Sequence, residues 1–242
     1  MLASYLSATA NLLQSPAAPT SLYSTANLTT WINSARGQVA AEGACCRALC
    51  TQALTISSAG PYSFSTFTIP NASTVGLSSV LNVRSIWYSS GSGMLWVPQE
   101  PWESFSIYEL NKAAPGSGTP MAWAQFSQGA LGSIYVSPPP AAAYTMTLDC
   151  ACLPISLGLD SDPEAIPYPW TDAVPYFAAY LALMSAQTTA RANDAKRMIE
   201  LYQVFMGRAR NGATPGVLPW QSEQVQTPGG INAVAPQPQG GG

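Results

Sequence analysis

An α+β fold is predicted by a change of rhythm along the chain. Apolar residues recur at helical spacing before residue 50 and after residue 170. Between those limits they fall in short β-branched and aromatic runs cut by Gly, Pro, Ser and Asn. A third observation concerns the surface. Only 9% of the 242 residues are charged, against roughly 25% in ordinary soluble domains. The expected architecture is a helical bundle, made of N-terminal helices and a C-terminal helical hairpin. It packs with a small antiparallel β-sheet or sandwich, and an extended C-terminal tail follows. The corresponding boundaries are a single folded unit over 1–212, helical over 1–50, β-rich over 51–157 and a helical hairpin over 158–212. A flexible Pro/Gly/Gln-rich arm occupies 213–242.

Residues 2–14 form a short helix with Leu2, Leu6, Leu12 and Leu13 as a loose stripe, and "SPAAPTS" ends it. A stronger helix is expected in "NLTTWINSARGQVAAEGACCRALCTQAL". Leu28, Trp31, Ile32, Ala35, Val39 and Cys46 share a face, and Asn27 or Thr29 caps the first turn. Arg36 and Arg47 are either solvated or turned to a partner. The segments "LTIS", "YSFSTFTI", "VLNVRSIWYS", "GMLWVP", "SIYVS" and "YTMTLDCACL" read as strands, with "SSGSGM" as a hairpin connection. In "PWESFSIYELNKA", Trp102, Phe105 and Tyr108 recur every three residues, as in a helix of one or two turns. The cluster Asp160, Asp162 and Glu164 lacks the glycine and the terminal glutamate of a calcium loop, so it reads as a capping or turn element.

The hairpin comprises helices over about 172–187, capped by Thr171 or Asp172, and about 190–210. Pro175 falls in the first turn, where a missing N–H costs little. Between Asp172 and Arg191 there is no charge. Val174, Phe177, Leu181 and Met184 line one face of the first helix, and Tyr176, Ala179, Tyr180 and Leu183 line another. Ala195, Ile199, Tyr202, Phe205, Met206 and Ala209 form the single stripe of the second. The doubled face is either covered by the chain itself, as in a central helix, or left for a neighbouring subunit. The tail places Leu218, Trp220, Ile231 and Val234 like spaced anchors, suited to docking in an extended form; the alternative is a terminus without a role.

Composition narrows the function classes. No residue is histidine, which removes the commonest general base and the commonest transition-metal ligand. The cysteines, Cys45, Cys46, Cys50, Cys150 and Cys152, read C-C-x3-C and C-x-C rather than C-x2-C. They read as small buried thiols in a reducing compartment, not as a zinc site or a disulfide framework. Neither a metal nor another cofactor is expected. A net charge of −3 gives no electrostatic reason to grip nucleic acid or an acidic membrane. The opening "MLASYLSATANLLQSPAAP" has no basic residue ahead of its apolar ones, unlike a secretory signal, and no apolar run reaches a membrane span. Low charge suits a surface that assembly will cover; the alternative is a sticky or secreted monomer.

These segments resemble a known family, the head-to-tail adaptor (connector) proteins of tailed bacteriophages. Leu28, Trp31, Ile32, Asn33, Ala35, Arg36, Cys46 and Arg47 match in kind its early "L-x-x-[WY]-I-N-x-A-R" segment and the Cys and Arg that follow. Gly118, Pro120, Trp123, Ala124, Pro138, Pro140, Tyr144 and Pro154 match its "G-x-P-x-x-[WY]-A" strand, its P-x-P turn and a later strand ending in Pro. The end of the unit is similar to its closing helix pair, where an Ala/Tyr-rich helix precedes "A-x-x-[MF]-x-x-x-Y-x-x-x-[FM]".

The resemblance implies a virion protein of the neck, made in the host cytoplasm and without enzymatic activity. It implies a homo-oligomeric ring, twelve-fold to match the portal, with a tail or neck protein below and DNA passing through the lumen without specific binding. It makes residues 213–242 the portal-binding arm, with Leu218, Trp220, Ile231 and Val234 as portal contacts. Tyr176, Ala179, Tyr180 and Leu183 become the subunit-interface candidates. Two other virion roles fit the same features: a head-closure ring lower in the neck, or a minor capsid stabiliser. A carboxylate-based hydrolase is the rival from another class, and Glu100, Glu103 and Glu109 are the only close acids in the β region that it could use.

Overall fold

The computed structural model describes residues 1–14, 23–90, 93–110, 116–185 and 189–213. It is α+β. Helices α1 (Leu2–Leu12) and α2 (Thr25–Gly43) lead into strands β1 (Arg47–Ala53) and β2 (Tyr62–Ser63). The one-turn α3 (Ala72–Val75) precedes β3 (Leu77–Ser90), β4 (Gly93–Val97) and α4 (Trp102–Tyr108). Strands β5 (Ala122–Phe126), β6 (Ser133–Ser137) and β7 (Thr145–Pro154) follow, and α5 (Val174–Ser185) and α6 (Thr189–Ala213) close the described chain.

α2 forms because Leu28, Ile32, Ala35 and Val39 put one apolar stripe on its surface, and all four are fully buried. Its cap is Ser24, whose Oγ accepts the Asn27 N–H at 3.3 Å, so the cap lies ahead of the expected Asn27 or Thr29. The helix also stops sooner than its sequence pattern suggests. A side-chain carbon on Gly43 would sit 2.6 Å from the Trp170 ring, and Ala44 turns left-handed at φ 44°. The expected helical stretch beyond Cys46 is instead a strand. Arg47–Ala53 pairs antiparallel with β7, from Arg47 opposite Ala151 to Ala53 opposite Thr145. Seven residues of ladder outweigh the local helical preference of "CRALCTQA".

The uncharged α5 lies against α1, α2 and α6. Ala178, Ala179 and Ala182 are fully buried and let those neighbours approach closely. Aromatic contacts tie α5 to α6: Tyr176 stacks on Phe205 at 4.7 Å, and Phe177 meets Tyr202 at 4.9 Å. In α6 the buried stripe is Ala195, Met198, Tyr202, Met206 and Ala209, and Lys196, Arg197, Glu200 and Arg208 face solvent.

The β region forms two antiparallel sheets, ordered β1-β7-β3-β4 and β2-β6-β5. Of the expected strands, "VLNVRSIWYS", "GMLWVP", "SIYVS" and "YTMTLDCACL" fall in β3, β4, β6 and β7. "LTIS" is not a strand: Leu54 and Ser57 donate to Tyr144 and Pro140 carbonyls as the chain bends. "YSFSTFTI" yields only β2 before a 3-10 turn over Phe64–Thr66, which buries Phe64 and Phe67 together. Cys50, Met146, Leu148, Cys150, Ile86 and Val97 fill the inner face of the first sheet. That face shares one apolar cluster with α2 residues Ile32, Ala35 and Val39 and α5 residues Val174 and Ala178. In α4, Phe105 is fully buried and Trp102 packs on Phe126 and Tyr135.

Candidate functional site

The densest polar arrangement joins α2 to the segment leading into α5. Arg36 is fully buried, one helical turn after Asn33 on the same face. Its Nη2 donates to Glu164 Oε1 at 2.8 Å and its Nε to Oε2 at 3.1 Å, a bidentate pair. Its Nη1 donates to the Ile155 carbonyl at 2.5 Å. Asn33 clasps Leu157 from both sides: its amide nitrogen donates to the Leu157 carbonyl at 3.0 Å, and its oxygen accepts the Leu157 N–H at 2.8 Å. Glu164 is 8% exposed and also accepts the Ile166 N–H at 2.9 Å. Burial, and then the Glu164 charge, push the Tyr5 phenol far above its usual range, so it stays neutral beside the pair. The result is a pin between α2 and residues 155–166.

The acidic cluster divides its work along that segment. Asp160 Oδ1 accepts the Ala3 N–H at 2.9 Å in the first turn of α1. Asp162 Oδ2 accepts from Leu159 at 2.7 Å and Gly158 at 2.6 Å, and these bonds hold its carboxyl below the usual range. Asp160 and Asp162 thus perform the expected capping and turn roles, whereas Glu164 is chiefly the ion-pair partner of Arg36. Arg47 crosses the sheet to pair with Asp149. Cys46, Cys50, Cys150 and Cys152 are buried and Cys45 is half-buried. Hydrogen bonding to Cys50 and burial push the Cys150 and Cys152 thiols well above their usual range, which keeps them neutral. Of the acids a hydrolase would need, Glu109 bonds the Ser137 hydroxyl, Glu100 is half-buried and Glu103 is exposed in the first turn of α4.

The four interface candidates divide. Ala179 is fully buried and Leu183 is 6% exposed, both inside a cluster with Leu13, Tyr23, Leu28, Ala195 and Met198 of the same chain. Tyr176 and Tyr180 are half-buried and retain surface. Tyr176 also lines a groove of about 480 Å³ between α1, α5 and α6, with Tyr5, Leu12, Pro175 and Phe205. Leu218, Trp220, Ile231 and Val234 lie outside the described residues. The sequence reading passed over another surface. Met94, Leu95 and Trp96 of β4 are 62%, 46% and 66% exposed, and Trp96 stands beside Trp87 of β3. The signal was "GMLWVP" itself, an unguarded apolar run next to a hairpin turn.

The residues that carry the family resemblance are mostly interior. Leu28, Ile32, Ala35, Arg36, Trp123 and Ala124 are fully buried, and Trp123 donates its indole N–H to the Val97 carbonyl at 3.1 Å. Ala195, Met198, Tyr202 and Met206, at the spacing of the closing-helix motif, form the inner stripe of α6. These positions specify a fold rather than a catalytic centre. The family model described as SU10 adaptor protein, of the phage head-to-tail adaptor family, matches residues 2–225. The chain belongs to this family. No curated protein matches it. As a phage adaptor it is expected to meet other phage structural proteins. No described helix is long and apolar enough to cross a membrane.

Proposed function

We propose that this adaptor assembles as a twelve-copy ring beneath the portal, joins the capsid vertex to the tail, and lets DNA pass through its lumen. The observation that carries this reading is the distribution of its few charges. Arg36 and Glu164 are buried against each other and the exposed Arg47 is tied to the buried Asp149, while Trp96, Met94, Tyr168 and Leu131 stand exposed. A surface so short of charge and so rich in large apolar groups suits cover by other subunits. A ring contact is heterologous, so different patches of one chain meet across it. Tyr176 and Tyr180 are the proposed contributors from α5; Ala179 and Leu183 support them from beneath. A small acidic excess leaves the lumen without a grip on DNA phosphates.

In this reading residues 1–212 form the ring unit and 213–242 the arm. Leu218 and Trp220, nearest the folded part, are the proposed portal anchors. Ile231 and Val234, farther along, have a second candidate seat on the protein itself. The role is structural and non-enzymatic, located in the virion neck, with a tail or neck protein below.

Mixing the purified protein with portal rings and imaging by electron microscopy tests the proposal. An added layer under the portal is expected, and its absence overturns the portal contact in favour of a lower-neck position. Tyr180→Asp should block that layer while leaving the isolated fold intact by circular dichroism; unimpaired assembly removes α5 from the interface. Leu183→Asp is unsuitable, because its side chain belongs to the chain's own core.

A further inference from the structure

A sheet edge is a template for another strand unless something covers it. In the first sheet β1 is bridged at Thr51 by Thr68, whose N–H and carbonyl both bond it at 3.0 Å. In the second, β5 is covered where Trp123 accepts from Glu100 at 2.8 Å and donates to Pro98 at 3.0 Å, and β2 is only two residues long. β4 has no such cover. Among the described residues, only β3 bonds the backbone of Met94–Trp96. Neither Lys nor Pro guards that stretch, and its three large apolar side chains are exposed.

The course of the chain supplies an occupant. Gly212 and Arg210, in the last turn of α6, line the same groove as Arg84 of β3. The chain therefore leaves α6 at a groove that β3 also borders, through Arg84, about 10 Å along that strand from Trp87. Seventeen residues lie between Ala213 and Ile231, enough to span up to about 60 Å. There the sequence reads Gly229-Gly230, then Ile231-Asn232-Ala233-Val234-Ala235, then Pro236. The five residues between the breakers equal β4 in length and include two β-branched side chains. They carry no charge, and neither does β4. Of a second copy's sheet edges β4 itself is equally open, and the concentration dependence of the test below separates that pairing from the tail's.

We propose that residues 231–235 add to β4 of their own chain as a fifth strand of the first sheet. The tether makes the contact intramolecular, so even a weak five-residue strand is held at an effective concentration of about millimolar. Backbone bonds hold the added strand, and its alternate side chains cover Trp96 and Leu95 from either face. The inference stands apart from the ring reading, and narrows it at one point: Ile231 and Val234 sit on this chain rather than on the portal.

Hydrogen exchange on the full-length protein tests this, read at the Met94–Trp96 amides that point away from β3. Adjacent prolines, Asn232→Pro with Ala233→Pro, remove whichever N–H faces β4. At least tenfold faster exchange at those amides is expected, at every protein concentration, with Gln224→Pro as an unaffected control. Trp96→Lys, on an exposed position, should speed exchange in the same direction. Equal exchange in the wild type and the double-proline variant overturns the proposal. So does protection that rises with protein concentration, since a second copy is then the cover, or protection that appears only when portal is added. Portal imaging is read separately, so either idea can fail alone.

Discussion

At the joint between α2 and the segment before α5, Arg36 and Glu164 form an ion pair sealed from water. At the end of the β3–β4 ladder, Met94, Leu95 and Trp96 stand in it. An ordinary monomer arranges these groups the other way round. The joint is directional: if residues 155–166 slide along α2, Glu164 and the Ile155 carbonyl both lose Arg36, and a charge is left unpaired indoors. The β4 edge has no such preference; any extended apolar segment suits it. The contrast teaches where this adaptor fixes its shape and where it leaves room for other contacts. Its few buried charges fix internal geometry, and its exposed apolar surface is left to other strands or subunits.

The largest expected effect comes from breaking the joint. Arg36→Met leaves Glu164 buried without a partner and should lower stability by about 3–5 kcal/mol. For a unit of this size that corresponds to a fall in melting temperature of roughly 10 °C. Adding Glu164→Leu should restore most of the loss, because an apolar pair of similar volume is often as good as a buried ion pair. A denaturant titration of both variants decides it. A loss below about 1 kcal/mol for the single variant would erase the contrast, since the pin would then be no stronger than a surface ion pair.

Next in size is Gly43→Ala, at the point where α2 stops. The added carbon must displace the Trp170 ring, and overpacking of this kind costs about 1–3 kcal/mol. Near-UV circular dichroism should report the moved indole. The same titration on Trp96→Lys should find a change within about 0.5 kcal/mol from the lost surface contacts, as for an exposed position. If Trp96→Lys proved as costly as Gly43→Ala, the β4 edge would be part of the core and not a reserved surface.

Much of this was legible in the sequence, and the rest was hidden for identifiable reasons. The α2 stripe, both closing helices and four of the strands follow from periodicity, because burial on one face imposes a period that local sequence records. The end of α2 was not legible. Its helical pattern runs on past Gly43, and the partners that stop it, Trp170 and the β7 ladder, lie more than a hundred residues away. For the same reason, nothing near Arg36 announces Glu164. The sequence expectation for Arg36, solvated or turned to a partner, is overturned by its burial against Glu164; only the resemblance to adaptors singled out Asn33, and it could not say what either holds. Tyr176, Ala179, Tyr180 and Leu183 share a helix face, but a face is not a surface: α1, α2 and α6 cover half of it.

The smallest effect sharpens the comparison at the outer end of the joint. The half-buried Asp162 bonds the Leu159 and Gly158 amides at the surface, so these bonds should do little for global stability, yet they shape the turn from which residues 155–166 approach Arg36. Those bonds favour the ionised carboxylate and lower its folded pKa. A depressed carboxyl contributes its full stabilisation above the unfolded value of about 3.9 and loses it as the pH falls through the folded value. The Gly158 and Leu159 amide resonances should therefore titrate together with a midpoint below that of a free aspartate. Asp162→Asn should flatten that titration and leave Asn33 and Arg36 bonded as before. Were the Leu157 amide to move with the same midpoint, turn and pin would be one cooperative unit. An unmoved Leu157 would show that the buried joint holds its geometry independently of the solvated turn beside it.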